Sequence, residues 1–280
     1  MRLDRFRALA GAAVAAALAT GLLAACGGDD DPQAITFTGT EKAGITGPSS
    51  AETGPAAITF ENDGKETSDL QLLRVEGDHS AAEVAKALGD ASQGKPFPDW
   101  FFAGGGAGTT AAGESQVITE VLEPGTYYAV STAGAPDPKK FAAVEVTGDA
   151  SDEELEADGG EVEAIDYGFK ASGLKAGENE ILFSNTGAQP HHILASRFIR
   201  DDATAADAEK FLKSGPGAGG KPPLIQKGSQ DTAVVEGGDS QLVTLNLKPG
   251  RYALYCFISD RQGGPPHVIK GMVDEVEVSE

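Results

Sequence analysis

The sequence predicts an all-β protein: two β-sandwiches in tandem, each carrying one short helix. Three observations predict it. First, Gly54-Pro-Ala-Ala-Ile58-Thr-Phe60-Glu-Asn62-Asp-Gly64 has a counterpart in Gly177-Glu-Asn-Glu-Ile181-Leu-Phe183-Ser-Asn185-Thr-Gly187, so the chain repeats itself. Second, each half holds a strand, a Pro-Gly turn and a second strand. Ser115-Gln116-Val-Ile-Thr119-Glu-Val-Leu122-Glu-Pro124-Gly125-Thr-Tyr127 matches Ser240-Gln241-Leu-Val-Thr244-Leu-Asn-Leu247-Lys-Pro249-Gly250-Arg-Tyr252. Third, the composition is rich in turn formers, with 37 Gly and 15 Pro, and poor in aromatics at 6%. At 40% hydrophobic residues it still holds enough apolar side chains for packed cores.

Each element follows from local chemistry. The segments 54–64 and 177–187 alternate apolar and polar residues, the period of a half-buried strand, and run into an Asn-x-Gly turn. The two Pro-Gly units read as β-hairpins. One helix starts at Ser80, with Glu83 three residues on as a capping box, and the other at Thr204 with Asp207 in the same relation. The first sandwich is placed at 33–147 and the second at 161–280. The acidic stretch 148–160, with Glu153, Glu154 and Glu156, reads as a linker with room for one helical turn. The Gly-rich stretches 104–113 and 215–220 read as loops. Neither has the strand, the Lys-Ser/Thr and the helix that a phosphate-cradling loop needs. Trp100, Phe97, Phe101 and Phe102 form an aromatic cluster suited to core or domain-interface packing.

The N-terminus reads as an export signal over 1–25. Arg2, Arg5 and Arg7 precede an uncharged apolar stretch, 8–23, which is short for a membrane span. Leu23-Ala24-Ala25-Cys26 resembles the lipobox of bacterial lipoproteins, which implies lipidation of Cys26 and an extracytoplasmic protein anchored to the cell membrane. Residues 26–32 would be the polar tether. The formal charge of −21 excludes nucleic acid as a partner, because phosphates require a basic surface. With Cys26 lipidated, Cys256 is the one thiol left, so no intrachain disulfide can form.

The residues that carry metal chemistry are rare and concentrated. Of four His, two Cys and two Met in the chain, His191, His192, Cys256, His267 and Met272 all lie in the second half. Two imidazoles, a thiolate and a weak axial thioether are the donor set of a blue-copper electron-transfer site. His79 precedes a helix without such company and reads as a surface residue. Gly-x-Ser-x-Gly is absent, so no nucleophile elbow is present.

Asn185-Thr-Gly-Ala-Gln-Pro190-His191 resembles the cupredoxin segment that delivers the first His ligand. Lys248-Pro-Gly-Arg-Tyr252-Ala-Leu-Tyr-Cys256, with His267-Val-Ile-Lys-Gly271-Met272, resembles the C-terminal ligand loop of plastocyanin and its relatives. The resemblance implies tandem Greek-key sandwiches and one copper ion in the second. It makes Cys256 the thiolate, His191 and His267 the imidazoles, Met272 the axial ligand, and Val273–Val278 the last strand. His192 is the alternative to His191. It further implies a single-electron carrier and no enzyme, since four His are too few for a second copper centre beside the blue one. The imidazole edge of His267 would be the electron port, and a c-type cytochrome or oxidase the redox partner. Two departures stand out. The family places a short loop between Cys and His, whereas here 257–266 intervenes, and the residue after the first His is often Asn, which ties the ligand loops together. A loop swung away would leave a metal-free binding or structural module of the cell envelope; copper delivery or storage is a lesser alternative. The repeat sets Ser68, Asp69 and Ser131 of the first half at the positions of His191, His192 and Cys256, so that half lacks the ligands.

Overall fold

The computed structural model describes residues 32–214, 222–225 and 227–280. The signal segment, Cys26 and the 215–220 loop lie outside the described residues. The first half comprises β1 (Gln33–Thr40), β2 (Gly44–Thr46), β3 (Ser50–Glu52), β4 (Gly54–Asn62), β5 (Ser68–Val75), α1 (Ala81–Ala91), β6 (Phe101–Thr110), β7 (Ser115–Leu122), β8 (Gly125–Val130) and β9 (Ala142–Thr147). The second comprises β10 (Gly160–Ile165), β11 (Gly168–Ser172), β12 (Gly177–Asn185), β13 (Leu194–Arg197), α2 (Ala205–Ser214), β14 (Gln230–Asp231), β15 (Ser240–Leu247), β16 (Gly250–Tyr255) and β17 (Val273–Val278). Both capping boxes form: Ser80 with Glu83 ahead of α1, and Thr204 with Asp207 ahead of α2. Residues 149–158 hold no helical turn.

The strands make the tandem β-sandwiches that the sequence predicts, with one sheet in common. An eight-stranded sheet runs β11-β10-β12-β15-β7-β4-β1-β2, and β15 joins β7 through Gln241 opposite Glu120 and Leu242 opposite Thr119. A five-stranded sheet, β3-β9-β8-β5-β6, closes the first sandwich, and a four-stranded sheet, β14-β13-β16-β17, closes the second. The alternating apolar residues do what their period requires. Ile58 and Phe60 on β4, and Ile181 and Phe183 on β12, are fully buried in one apolar cluster that runs through both sandwiches.

Two expectations are corrected. The Pro-Gly units are not β-hairpins. β7 pairs with β4 and β15 while β8 pairs with β5 and β9; likewise β15 pairs with β12 and β7 while β16 pairs with β13 and β17. Each Pro-Gly is therefore an arch from one sheet to the other. The turn chemistry is the same in both cases, and what differs is that both flanking strands turn their apolar faces to one core. Each arch is held by a tyrosine: Tyr127 Oη accepts from Glu123 N and Tyr252 Oη from Lys248 N, at 3.1 and 2.9 Å.

The stretch 104–113 is not a loop but largely β6. Its glycines permit close backbone contact. A Cβ on Gly106 would lie 2.1 Å from Leu70 O, and one on Gly108 would lie 2.1 Å from Asp231 O of the second half. Along this seam Gly105 N donates to Val234 O at 3.0 Å, and Glu236 N to Ala103 O at 3.0 Å. The Gln71 side chain, nearly buried, donates to Val234 O and accepts from Val234 N at 2.9 and 2.8 Å. Residues 32–280 consequently form a single compact unit.

Glu120 sits at the junction of the halves, 4% exposed, with no hydrogen-bond partner for Oε1 among the described residues. Burial, reinforced by the charge of Asp239, pushes its carboxyl well above the usual range. The folded chain thus keeps a proton that the unfolded chain releases above the ordinary carboxylate pKa, and stability falls as pH rises past that value. Glu120→Gln keeps the shape and removes the ionisation. Its unfolding free energy is expected to exceed the parent's at about pH 8 and to converge with it near about pH 4, as read from urea titrations at both.

Candidate metal centre

Three separate segments deliver the donor atoms. Asn185, at the end of β12, shapes the first. Its amide donates to Gln189 O at 2.8 Å and Val235 O at 3.1 Å, and its Oδ1 accepts from Gly187 N at 3.1 Å. His191 then exchanges two backbone hydrogen bonds with Val235, at 3.0 and 2.9 Å, which fixes its Cα in the core. Cys256 directly follows β16. The insertion 257–266 leaves and returns: His267 N donates to Ile258 O and Val268 N to Cys256 O, both at 2.8 Å, so the loop is closed at its base. His267 opens a 3-10 turn, His267–Lys270. Gly271, with φ of 100°, ends that turn, and Met272 N donates back to His267 O at 3.1 Å.

The side chains converge. His191 Nδ1 and His267 Nδ1 are 3.0 Å apart, Cys256 Sγ is 3.6 Å from His267 Nδ1, and the three donor groups lie within 4.8 Å of one another. His191, Cys256, His267 and Met272 are all 0% exposed, and Met272 shares the apolar cluster with Cys256. The insertion therefore does not swing away, and the loop gives no ground for a metal-free module.

His192 takes another part. Its Nε2 accepts from Phe257 N at 3.0 Å, tying the first ligand loop to the residue after Cys256, and it lies outside the converging group. That is the tie that the family resemblance expects of an Asn at this position. His79 stacks on Trp100, with ring centroids 3.8 Å apart, and is not freely exposed as a surface residue would be.

Residues without a sequence signal complete the site. His191 Nε2 donates to Asp166 Oδ1 at 3.3 Å, and His267 Nε2 donates to Asp260 Oδ1 at 3.0 Å. Asp166 lies in the turn between β10 and β11 and Asp260 in the insertion, and no periodicity or motif marks either. Tyr167, the one non-glycine residue with positive φ among the described residues (69°), sets its ring edge-on to His267 at 5.4 Å. Its hydroxyl donates to Asp260 Oδ1 at 3.0 Å. Lys270 contacts both the Tyr167 hydroxyl and Asp260. This cover corrects one expectation: the His267 edge is not an open electron port, because Nε2 is bonded and the ring is buried.

Protonation states follow from burial. Desolvation lowers His191, opposed by Asp166, and brings His267 down to about 4, helped by the neighbouring His191. Both imidazoles are neutral near pH 7, the form that ligates metal. Burial pushes Asp166 and Asp260 up. Hydrogen bonds overcome it, from Ala188 N, Gln189 N and His191 for Asp166, and from Lys270 and Tyr167 for Asp260, so both carboxyls end below the usual range. Burial also pushes the Cys256 thiol up to about 12, so a thiolate here needs a cation beside it.

The donor set fits one copper ion. With each Nε2–H given to a carboxylate, both Nδ1 lone pairs point inward at 3.0 Å, a repulsive arrangement that a cation relieves. Imidazole suits both oxidation states of copper, and thiolate and thioether favour Cu(I). His191, His267 and Cys256 would hold it, with Met272 just beyond the turn that His267 opens.

No family model and no curated protein matches the chain. Among solved structures it is similar to the reduced auracyanin of Roseiflexus castenholzii at 21% identity and a TM-score of 0.32, over 41% of this chain and 98% of that one. It is also similar to auracyanin A, the blue copper protein of Chloroflexus aurantiacus, at 16% and 0.33, over 42% and 100%. A copper-containing nitrite reductase from Thermus scotoductus matches over 89% of this chain and 62% of that one, at 11% and 0.25. The tandem β-sandwiches of this chain and its buried His–Cys–His group with Met272 are what the sequence resemblance implies.

Loss of a carboxylate that orients a ligand imidazole costs about 10–100-fold in metal affinity. Asp260→Asn is expected to weaken copper binding within that range while leaving the far-ultraviolet circular dichroism unchanged. Competition against a chromophoric chelator measures it.

Proposed function

We propose that this chain is an extracytoplasmic, membrane-anchored carrier of single electrons, tethered through Cys26 and not itself an enzyme. The single observation that carries the proposal is the convergence of His191, Cys256 and His267 within 4.8 Å in a site closed to solvent. Copper bound there would supply a one-electron couple. The residues supply the rest. Carboxylates fix the two imidazole rings, strand β16 and the closed loop base fix the thiol, and the apolar cluster around Cys256 and Met272 excludes water. A donor set locked by its surroundings rearranges little between oxidation states, the condition for fast transfer. His79 is occupied by Trp100 and His192 by Phe257 N, which favours a carrier over an enzyme with a second histidine-bound copper. The acidic surface, at a formal charge of −21, favours a basic face on the partner, such as a c-type cytochrome or an oxidase.

Full-length protein loaded with Cu(II) is expected to retain one copper per chain and to show an intense thiolate-to-copper absorption band. Cys256→Ser is expected to abolish the band and most of the bound metal. A parent protein that stays colourless and metal-free after loading and desalting would overturn the proposal.

A further inference from the structure

The insertion 257–266 does more than return to the metal site: it is gripped by the first half. Gly264 N donates to Gly94 O, and Phe97 N donates to Arg261 O, both at 2.8 Å, so two backbones meet directly. The approach is so close that a Cβ on Gly263, whose φ is +78°, would lie 2.6 Å from Gly94 O. Arg261 is the keystone. Its guanidinium donates to Pro98 O and Phe101 O at 3.2 and 3.0 Å, pairs with Glu236 at 2.8 Å, and lies 5.0 Å over the Phe102 ring. Glu236 in turn accepts from Ala103 N at 3.1 Å. Arg261 N meanwhile donates to Gln189 Oε1 at 2.8 Å, and Gln189 precedes Pro190 and His191. One residue therefore joins the loop that presents His267, the loop that presents His191, and the aromatic segment 97–102 of the first sandwich.

We infer that the first half is the clamp of the metal centre, and that Arg261 is its positioning residue. A ten-residue insertion left to itself would sample many conformations, and each would carry His267 Nδ1 away from His191 and Cys256. Anchored at its tip on segment 94–102 and closed at its base by Ile258 and His267, it has nowhere to go. Asp260, one residue from the keystone, is held against His267 Nε2 by the same grip. The inference rests on the proposed metal site for its consequence, but the clamp itself can be read without metal.

The test uses the full chain with Arg261→Met, which keeps the aliphatic stem and removes the guanidinium, and with Phe102→Leu, which withdraws the ring from the opposite side. In the copper-free protein, amide hydrogen exchange across 257–266 is expected to accelerate at least about tenfold in Arg261→Met and less in Phe102→Leu, with β12 and β16 unchanged. In the copper-loaded protein, transfer of metal to an excess of chelator is expected to quicken by about tenfold. Parent-like exchange in both variants overturns the clamp. Faster exchange with unchanged copper release overturns its role at the metal site. If Arg261→Met does not fold, Phe102→Leu decides. If the parent takes up no copper, the carrier reading falls, and the exchange measurement alone still decides the clamp.

Discussion

The contact on which the metal centre depends is the approach of two imidazole nitrogens to 3.0 Å beside a thiol, in a space without solvent. Left alone it is an unfavourable grouping. Inward lone pairs repel, a buried thiol resists ionisation, and neutral histidines deep in a protein forgo hydration. Its persistence needs forces from outside, and these can be named. Asp166 and Asp260 turn the rings, Val235 and Ile258 pin the backbones on which they ride, and Phe257 N locks the neighbouring His192. Each support acts at a different point of the chain, so none of the donors is free to relax away from the others.

Comparison of the two halves separates what the fold needs from what the site needs. Asn62 repeats Asn185: its amide donates to Glu66 O and Thr110 O, and its Oδ1 accepts from Gly64 N. Tyr127 repeats Tyr252 in bracing its arch. These belong to the sandwich and occur twice. At the place of the donors the first half has Ser68, Asp69 and Ser131, joined as a hydrogen-bonded group: Ser68 Oγ donates to Ser131 Oγ at 3.2 Å, and Ser131 Oγ to Asp69 Oδ1 at 2.6 Å. The same scaffold thus tolerates small self-satisfied polar residues where its twin gathers metal donors. The donors are therefore not required by the fold, which argues that they are kept for chemistry.

Much of this was legible in the sequence, and the limits have physical causes. Strands β4 and β12 and both capped helices follow from period-two alternation and side-chain capping, which are local properties, while β17 is what the family resemblance implies. The donor residues stood out because His, Cys and Met are scarce in this chain and the few present cluster. The Pro-Gly units misled because a turn residue records the local bend and not which sheet receives the next strand. The Gly-rich stretch 104–113 misled because glycine marks close backbone approach as readily as it marks a loop, and the approaching chain, at Asp231 and Val234, lies far away in sequence. Asp166, Asp260, Tyr167 and Arg261 gave no signal at all. Polar residues in turns are common, and their roles exist only once distant segments meet.

The covered edge of His267 and the clamped insertion are one design. A short Cys-to-His loop would hold the second imidazole by brevity alone and leave its edge to solvent. Lengthening the loop forfeits that restraint, and the structure restores it by tying the tip to another sandwich. The added length also brings Asp260, which Lys270 and Tyr167 hold, over the imidazole. The imidazole is thereby closed off from solvent, and Tyr167, whose ring stands edge-on to it, is 38% exposed. The first half, without donors of its own, then has a physical reason to be fused to the second: it supplies the fixed surface against which a long ligand loop can be rigid.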